Sequence, residues 1–413
     1  MTERSTLPPA PDEVASARDN TRAGTGERRR HPRRIDGIDL ARGIAILGML
    51  GAHTLDERFD AHLLGWDPST WLAAVHGRSS ILFATLLGIS IALLSGGAHP
   101  HKGARLRATR QQLLLRAACL FAIGWFLIEF NSIWVIIHMY GLLVAGSVFF
   151  LTWSARRLCA TAVIPALTGG LLCLWLPHGY DTTPEYGSFL KYVSTLEGEA
   201  LQKMPALLQS VSTTEGEASL GWDAFNGTYP LPFWMAFLLL GMAVGRLDLA
   251  SLAVRWRLTT VGAAMAIAGY VGGLVSTRLY EDGYGHELLD LLLKAAPEGG
   301  NGWELIGASP HSGTVFEAVG SSGVALVIVG LCLLAPEVIQ RVLFPVRAAG
   351  TMALTLYAMH ALALYFIPEH VRGLHVYAWF AAAGLVFAVV WRAWRTQGPL
   401  EHLLARISRH KFV

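Results

Sequence analysis

Residues 31–54 read HPRRIDGIDLARGIAILGMLGAHT. A basic, aspartate-bearing lead-in runs into an apolar stretch long enough to cross a hydrocarbon core as a helix. The stretch closes on a histidine. Arg42 and His53 are eleven positions apart, which on a helix is about three turns and roughly 16 Å of rise. Their azimuths then differ by only about 20°. Asp39, Arg42, Met49 and His53 therefore line one stripe. A polar stripe on a membrane helix is expected to face a cavity or a partner helix rather than lipid.

The rest of the chain repeats the apolar pattern. Apolar residues make up 53% of the 413 residues and charged ones only 15%, against about a quarter charged in soluble domains. The apolar residues gather in runs of membrane-crossing length, which excludes a soluble enzyme with a single anchor. About ten runs emerge, at about 37–55, 78–97, 113–130, 132–153, 158–176, 230–246, 257–278, 313–335, 346–367 and 375–394. The expected fold is all-α and polytopic, with about ten transmembrane helices around a central polar cavity. Cys119, Cys159, Cys173 and Cys332 all fall inside apolar runs. They read as small core residues, not as a disulfide framework or a metal site.

The loops give an orientation. With a cytoplasmic N-terminus, RRRHPRR, HKGARLRATR, WSARRL, GRLDLASLAVRWR, IQRVLFPVR and the C-terminal WRAWRTQGPLEHLLARISRHK all lie inside, in keeping with the positive-inside rule. The outer segments hold most of the acidic residues. Residues 1–34 read as a disordered, basic cytoplasmic tail, 35–396 as the transmembrane domain with outer segments 177–228 and 279–312, and 397–413 as a second basic cytoplasmic tail. Within the outer segments, 187–211 has the apolar spacing of a helix lying on the membrane surface, and 289–297 is a shorter version. No internal repeat of the transporter kind is visible. Abundant Arg, Ala, Gly and Leu point to a high-GC bacterium, hence to a bacterial cytoplasmic membrane.

This topology puts His53, His76, His138 and His360 on four runs at one depth. Imidazole is the usual general base near neutral pH. A single intramembrane histidine is as often an interhelical hydrogen-bonding group, but four at one depth favour a shared polar cavity. Tyr357 lies one helical turn before His360. Glu317, about one turn inside its run, is an intramembrane carboxylate and hence a functional candidate; Glu129 reads as interfacial. Asp36 reads as a helix N-terminal acid, Arg42 as a cavity group or a snorkelling one, and Arg78 as a group that snorkels or orients a substrate. Outer histidines read as solvated, with His311, in SPHSGTVFEAVGSSG, singled out for attention among them. The small-residue stretches of the second and eighth runs read as close-packing surfaces. No histidine or cysteine spacing resembles a metal site.

Several stretches resemble the membrane acyltransferase superfamily that contains heparan-α-glucosaminide N-acetyltransferase and acyltransferase family 3. IDGIDLARGIAILGML is similar to its Asp-x-x-Arg-Gly opening, and Arg42 with His53 resembles the Arg, ten residues, His signature of acyltransferase family 3. WLAAVHGRSSILFATLLGIS resembles the stretch where the heparan enzyme keeps its active-site histidine, matching His76. GTMALTLYAMHAL resembles a late segment ending in His360, and NGTYPLPFWMAFLLLGMAVGR a sixth-span start. One branch would make His53 the base and the other His76; this chain has both.

The resemblance implies an acyl-CoA-dependent O-acyltransferase with acetyl-CoA as donor and no metal. Asp39, Arg42, Met49 and Arg78 would hold the donor, and His53 and His76 would be catalytic. His138, Glu317, Tyr357 and His360 would line the cavity. The acceptor would be a hydroxyl of an envelope glycan or glycolipid, with a trehalose mycolate-type lipid among the candidates. Membrane lipid is a partner, nucleic acid is not, and a homodimer is admitted. The competing readings are a transporter or flippase of a lipid-linked glycan, and a structural membrane subunit.

Overall fold

The computed structural model describes residues 35–55, 77–128, 130, 133, 135–175, 229–282, 306–308 and 310–409. The N-terminal tail, His76, Glu129, the surface helix over 187–211 and its shorter counterpart over 289–297 lie outside the described residues. Among those described, the secondary structure is helical and contains no strand.

A helix lies at each of the ten apolar runs. They are α1 (Asp36–Thr54), α2 (Arg78–Leu94), α3 (Gly103–Ile128), α4 (Ile137–Ser147), α5 (Ala155–Trp175), α6 (Leu231–Gly245), α7 (Leu252–Glu281) and α8 (Val315–Leu334). After these come α9 (Glu337–Val342), α10 (Phe344–Gly350), α11 (Ala353–Leu364), α12 (Leu374–Trp394) and α13 (Pro399–Arg409). Of these, α3, α7, α8 and α12 are long and apolar enough to cross a membrane by length and composition. The shorter α2, α4, α6 and α11 are apolar as well.

The first helix is central. Of its residues only Asp36 and Ile44 are exposed, and it packs against α2, α8, α10, α11 and α12. Large apolar side chains on α3, α7 and α12 point outward instead, among them Phe126, Ile267 and Trp379, as expected of helices facing hydrocarbon. The small residues of the second run do serve close packing. A methyl group built on Gly88 of α2 would overlap the Leu238 carbonyl of α6. The stretch around Gly323 of α8 brings α7 equally near, against Gly262 and Ala266.

Several arginines of the basic loops close helix ends. Arg246 donates to the carbonyls of Ala92 (3.0 Å), Gly97 (2.8 Å) and Leu151 and to Ser95 Oγ (3.0 Å), satisfying carbonyls at the end of α2. Arg255 donates to Leu333 O at 2.8 Å at the end of α8. Arg347 bonds Asp36 at 2.8 Å, tying α10 to the start of α1.

The ninth run departs from a single helix. It breaks at Met352 (φ −138°, ψ 34°) into α10 and α11. Thr351 and Met352 donate one residue short of helical register, to Ala348 O and Ala349 O. The break exposes new amide donors. Glu401 of α13 takes them: Oε1 accepts from Leu354 N (2.7 Å) and Thr355 N (3.2 Å), and Oε2 from Thr355 Oγ1 (2.6 Å). The C-terminal segment is thus more than a basic tail. Burial pushes the Glu401 carboxyl up from its ordinary range, against the bonds from Thr355 and Leu354 that pull it down. Side-chain caps of this kind contribute about 1 kcal/mol, up to about 2. Glu401→Ala is expected to lower stability by that amount, read as a drop in Tm of the purified protein. An unchanged Tm would mean that α13 does not cap α11.

Candidate functional site

Helices α1 and α11 meet where His53 faces His360. His53 Nδ1 and His360 Nε2 are 2.8 Å apart, with the rings nearly parallel at 11° and their centroids at 5.1 Å. His360 is buried, and its Nδ1 lies 3.2 Å from the Leu356 carbonyl oxygen. A carbonyl oxygen only accepts, so His360 Nδ1 carries a proton. In a neutral ring Nε2 then accepts, and the proton between the rings belongs to His53 Nδ1. In that tautomer Nε2 is the unprotonated nitrogen of His53. A hydrogen-bonded second group that fixes the tautomer of the first is how a basic imidazole is oriented.

Tyr357 packs edge-on to both rings, with centroids 6.1 Å from His53 and 5.0 Å from His360. Its hydroxyl accepts from the Ile136 amide at 3.3 Å, just before α4. His138, two residues further, is buried too. A Cβ on Gly124 of α3 would fall 2.7 Å from the His138 Cα, so His138 sits at a close crossing of α3 and α4.

The lower half of the α1 stripe makes a second cluster. Arg42 NH1 bonds Asp39 Oδ1 at 2.8 Å, and NH2 reaches Ser90 Oγ on α2 at 2.6 Å. Asp39 is buried and Arg42 partly so. Arg42 therefore turns into the bundle toward α2 and does not snorkel outward. Met49, buried between the two polar levels, keeps the stripe apolar there.

A third cluster joins α2, α7 and α8. Arg78 Nε donates to Tyr270 Oη at 2.9 Å with its guanidinium carbon 5.0 Å from the ring centre. Tyr270 Oη in turn lies 3.0 Å from Ser321 Oγ. Glu317 holds the turn before α8: its carboxylate accepts from His311 N (2.5 Å), Gly313 N (2.8 Å) and Ser312 Oγ (3.3 Å), while its own amide bonds the Thr314 cap at 3.0 Å. This is a variant of the capping box, with the carboxylate serving the residues ahead of the cap. It sets His311 at φ 65° and stacks its ring on Trp234 and edge-on to Tyr229.

The described sequence-predicted residues thus fall into three groups: His53 with Tyr357 and His360; Asp39 with Arg42; and Arg78 with Glu317, joined across α2, α7 and α8 through Tyr270 and Ser321. His76 lies outside the described residues, but Gly77 after it abuts His311, where a Cβ would meet the imidazole at 3.3 Å. Sequence reasoning passed over Ser90, Tyr270 and Ser321, which are ordinary helix residues without a local signal. Among the described residues, no group of three His, Cys, Asp or Glu side chains is placed to hold a metal.

Comparison with known families bears directly on this arrangement. Residues 34–185 match the family model described as heparan-alpha-glucosaminide N-acetyltransferase, catalytic. That stretch is similar to the catalytic region of the heparan enzyme's family, in keeping with the acyltransferase resemblance of its sequence. It covers a little over a third of the chain, from α1 to beyond α5, and includes His53, His76 and His138. It ends before the helices that carry Glu317, Tyr357 and His360. Comparison with curated proteins finds no match. A membrane protein with acetyltransferase-type activity is what the family match and the apolar helices support together.

Proposed function

We propose that the chain moves an acetyl or other short acyl group from cytoplasmic acyl-CoA to a hydroxyl of an extracytoplasmic envelope glycan or glycolipid, of which a trehalose mycolate-type lipid is one candidate. The observation that carries this reading is the His53–His360 pair, which fixes the tautomer of His53 on a helix inside the acetyltransferase-family stretch.

In this reading all ten apolar runs lie in a bacterial cytoplasmic membrane around a polar cavity, with both termini cytoplasmic. The donor's thioester arm follows the α1 stripe from Asp39 and Arg42 past Met49 to His53. His53 takes the proton of the acceptor hydroxyl as its oxygen attacks the thioester carbonyl. The carbon–sulfur bond breaks, and the CoA thiolate leaves with the proton that His53 returns. His76, beside Arg78, orients the acceptor from the outer side, with His138, Glu317, Tyr357 and His360 around the cavity. The matched family is named for transfer to nitrogen; either acceptor loses a proton on acylation, and a hydroxyl, a far weaker neutral nucleophile than a free amine, gains more from an imidazole base.

The test is incubation of purified protein with acetyl-CoA and paired acceptors, one sugar bearing only hydroxyls and one bearing an amine. Release of CoA with ester formation is expected, reduced at least tenfold in His76→Ala. Amide formation alone would correct the acceptor chemistry. A well-folded wild type that binds no acyl-CoA and releases no CoA would favour the transporter reading.

A further inference from the structure

An apolar cavity of about 350 Å³ opens between α1, α11 and α12. Leu50, Leu356, Phe380 and Phe387 form much of its wall, and among the described lining residues His360 is the one ionisable side chain. Ligand pockets start at about 300 Å³, so it admits a slender molecule. Its rim carries Met359, 48% exposed, and Trp379, 75% exposed. Both belong to helix faces that look outward, and α12 is among the least covered of the long apolar helices. The cavity therefore opens sideways, where a membrane protein meets hydrocarbon, and its inner wall is the imidazole hydrogen-bonded to His53.

We infer that this cavity seats the alkyl chain of a membrane-resident acceptor, whose hydroxyl head is thereby delivered to the His53–His360 pair. This rests on the acyltransferase reading above and names the substrate class: an amphiphile entering from the bilayer, not a free sugar. The chemistry of the wall fits only hydrocarbon, since a polar chain would lose its water without gaining partners. In the reading above the donor enters from the α2 side of α1, where Arg42 bonds Ser90, and reaches the imidazole pair along the α1 stripe, which leaves the cavity between α11 and α12 to the acceptor. In the topology proposed, the cavity residues of α11 and α12 belong to the middle and outer part of the membrane, within reach of an outer-leaflet lipid.

Gly384 allows the cavity to be filled without breaking the fold. A Cβ there meets Leu356 Cδ2 at 3.7 Å, an ordinary contact. Protein in lipid nanodiscs is given acetyl-CoA and alkyl glucosides of increasing chain length, and, separately, acyl-CoAs of increasing length with methyl glucoside. Binding of the alkyl glucosides is followed in parallel by native mass spectrometry. In wild type the acceptor KM is expected to fall by about threefold to fourfold per added methylene until the cavity is full. In Gly384→Leu, with Tm unchanged, that dependence and the retention of the longest glucoside are both expected to vanish. Ala383→Leu, on the exposed side of the cavity, gives a second block should the first variant fold poorly.

Chain dependence that survives both substitutions, or none in wild type, would overturn the inference. Dependence along the acyl-CoA series alone would overturn it too, by giving the cavity to the donor. Glucoside binding lost in Gly384→Leu, in a wild type that shows no acyl transfer, would uphold the cavity while sinking the acyltransferase reading.

Discussion

Replacing His53 with alanine is expected to reduce acyl transfer from acetyl-CoA by about 10²- to 10⁴-fold, the range a general base contributes. The basic character of His53 Nε2 follows from two bonds: His360 Nδ1 donates to the Leu356 carbonyl, and His53 Nδ1 donates to His360 Nε2. The loss should fall on kcat with little change in KM for acetyl-CoA, because Arg42, on the proposed donor path, and its partner Ser90 are untouched. His360→Gln tests the orienting role separately. Its amide nitrogen can still donate to a backbone carbonyl and its oxygen can accept from His53, so a milder loss is expected than from His360→Ala. Single-turnover release of CoA by wild type and the three variants reads both effects. Full activity in His53→Ala, with wild-type Tm, would remove His53 from the chemistry and leave His76 as the base.

Much of this was legible in the sequence, and what was not has a physical reason. Helix positions followed from apolar run length, because a chain in hydrocarbon has to satisfy its backbone internally. The Arg42–His53 stripe followed from helical periodicity alone, and α1 does turn those residues toward partner helices. The partners themselves were not legible. Ser90 and His360 meet the α1 stripe through pairings 48 and 307 residues apart in sequence, which no local pattern encodes. The break in the ninth run was equally hidden. Residues 351–364 contain neither glycine nor proline, and the donors it exposes are taken by Glu401, 46 residues on from Thr355. Glu317 showed itself as an intramembrane carboxylate, but only the folded turn reveals that His311 and Gly313 occupy its oxygens.

Gly350→Val is expected to destabilise the protein by more than about 3 kcal/mol, the upper end for an overpacked core. At Gly350 the backbones of α1 and α10 touch. A Cβ there would overlap the Asp39 carbonyl oxygen and fall 2.6 Å from the Gly43 amide nitrogen. A Cβ on Gly43 would in turn overlap the Val346 carbonyl. Both obstacles are backbone, which has no rotamer to yield. The glycine after Arg42 in DLARG is therefore there so that α10 can approach, and the arginine beside it stays free to turn toward α2. The same approach sets where the run breaks and α11 begins, and hence where His360 stands against His53. Loss of folded protein on size exclusion, or a large fall in Tm, is the expected result. Gly384→Ala, on an open face of α12, should melt within a degree or two of wild type. If Gly350→Val instead accumulates and melts as wild type does, α1 and α10 do not touch there, and the register that brings the two imidazoles together has to come from the Glu401 cap alone.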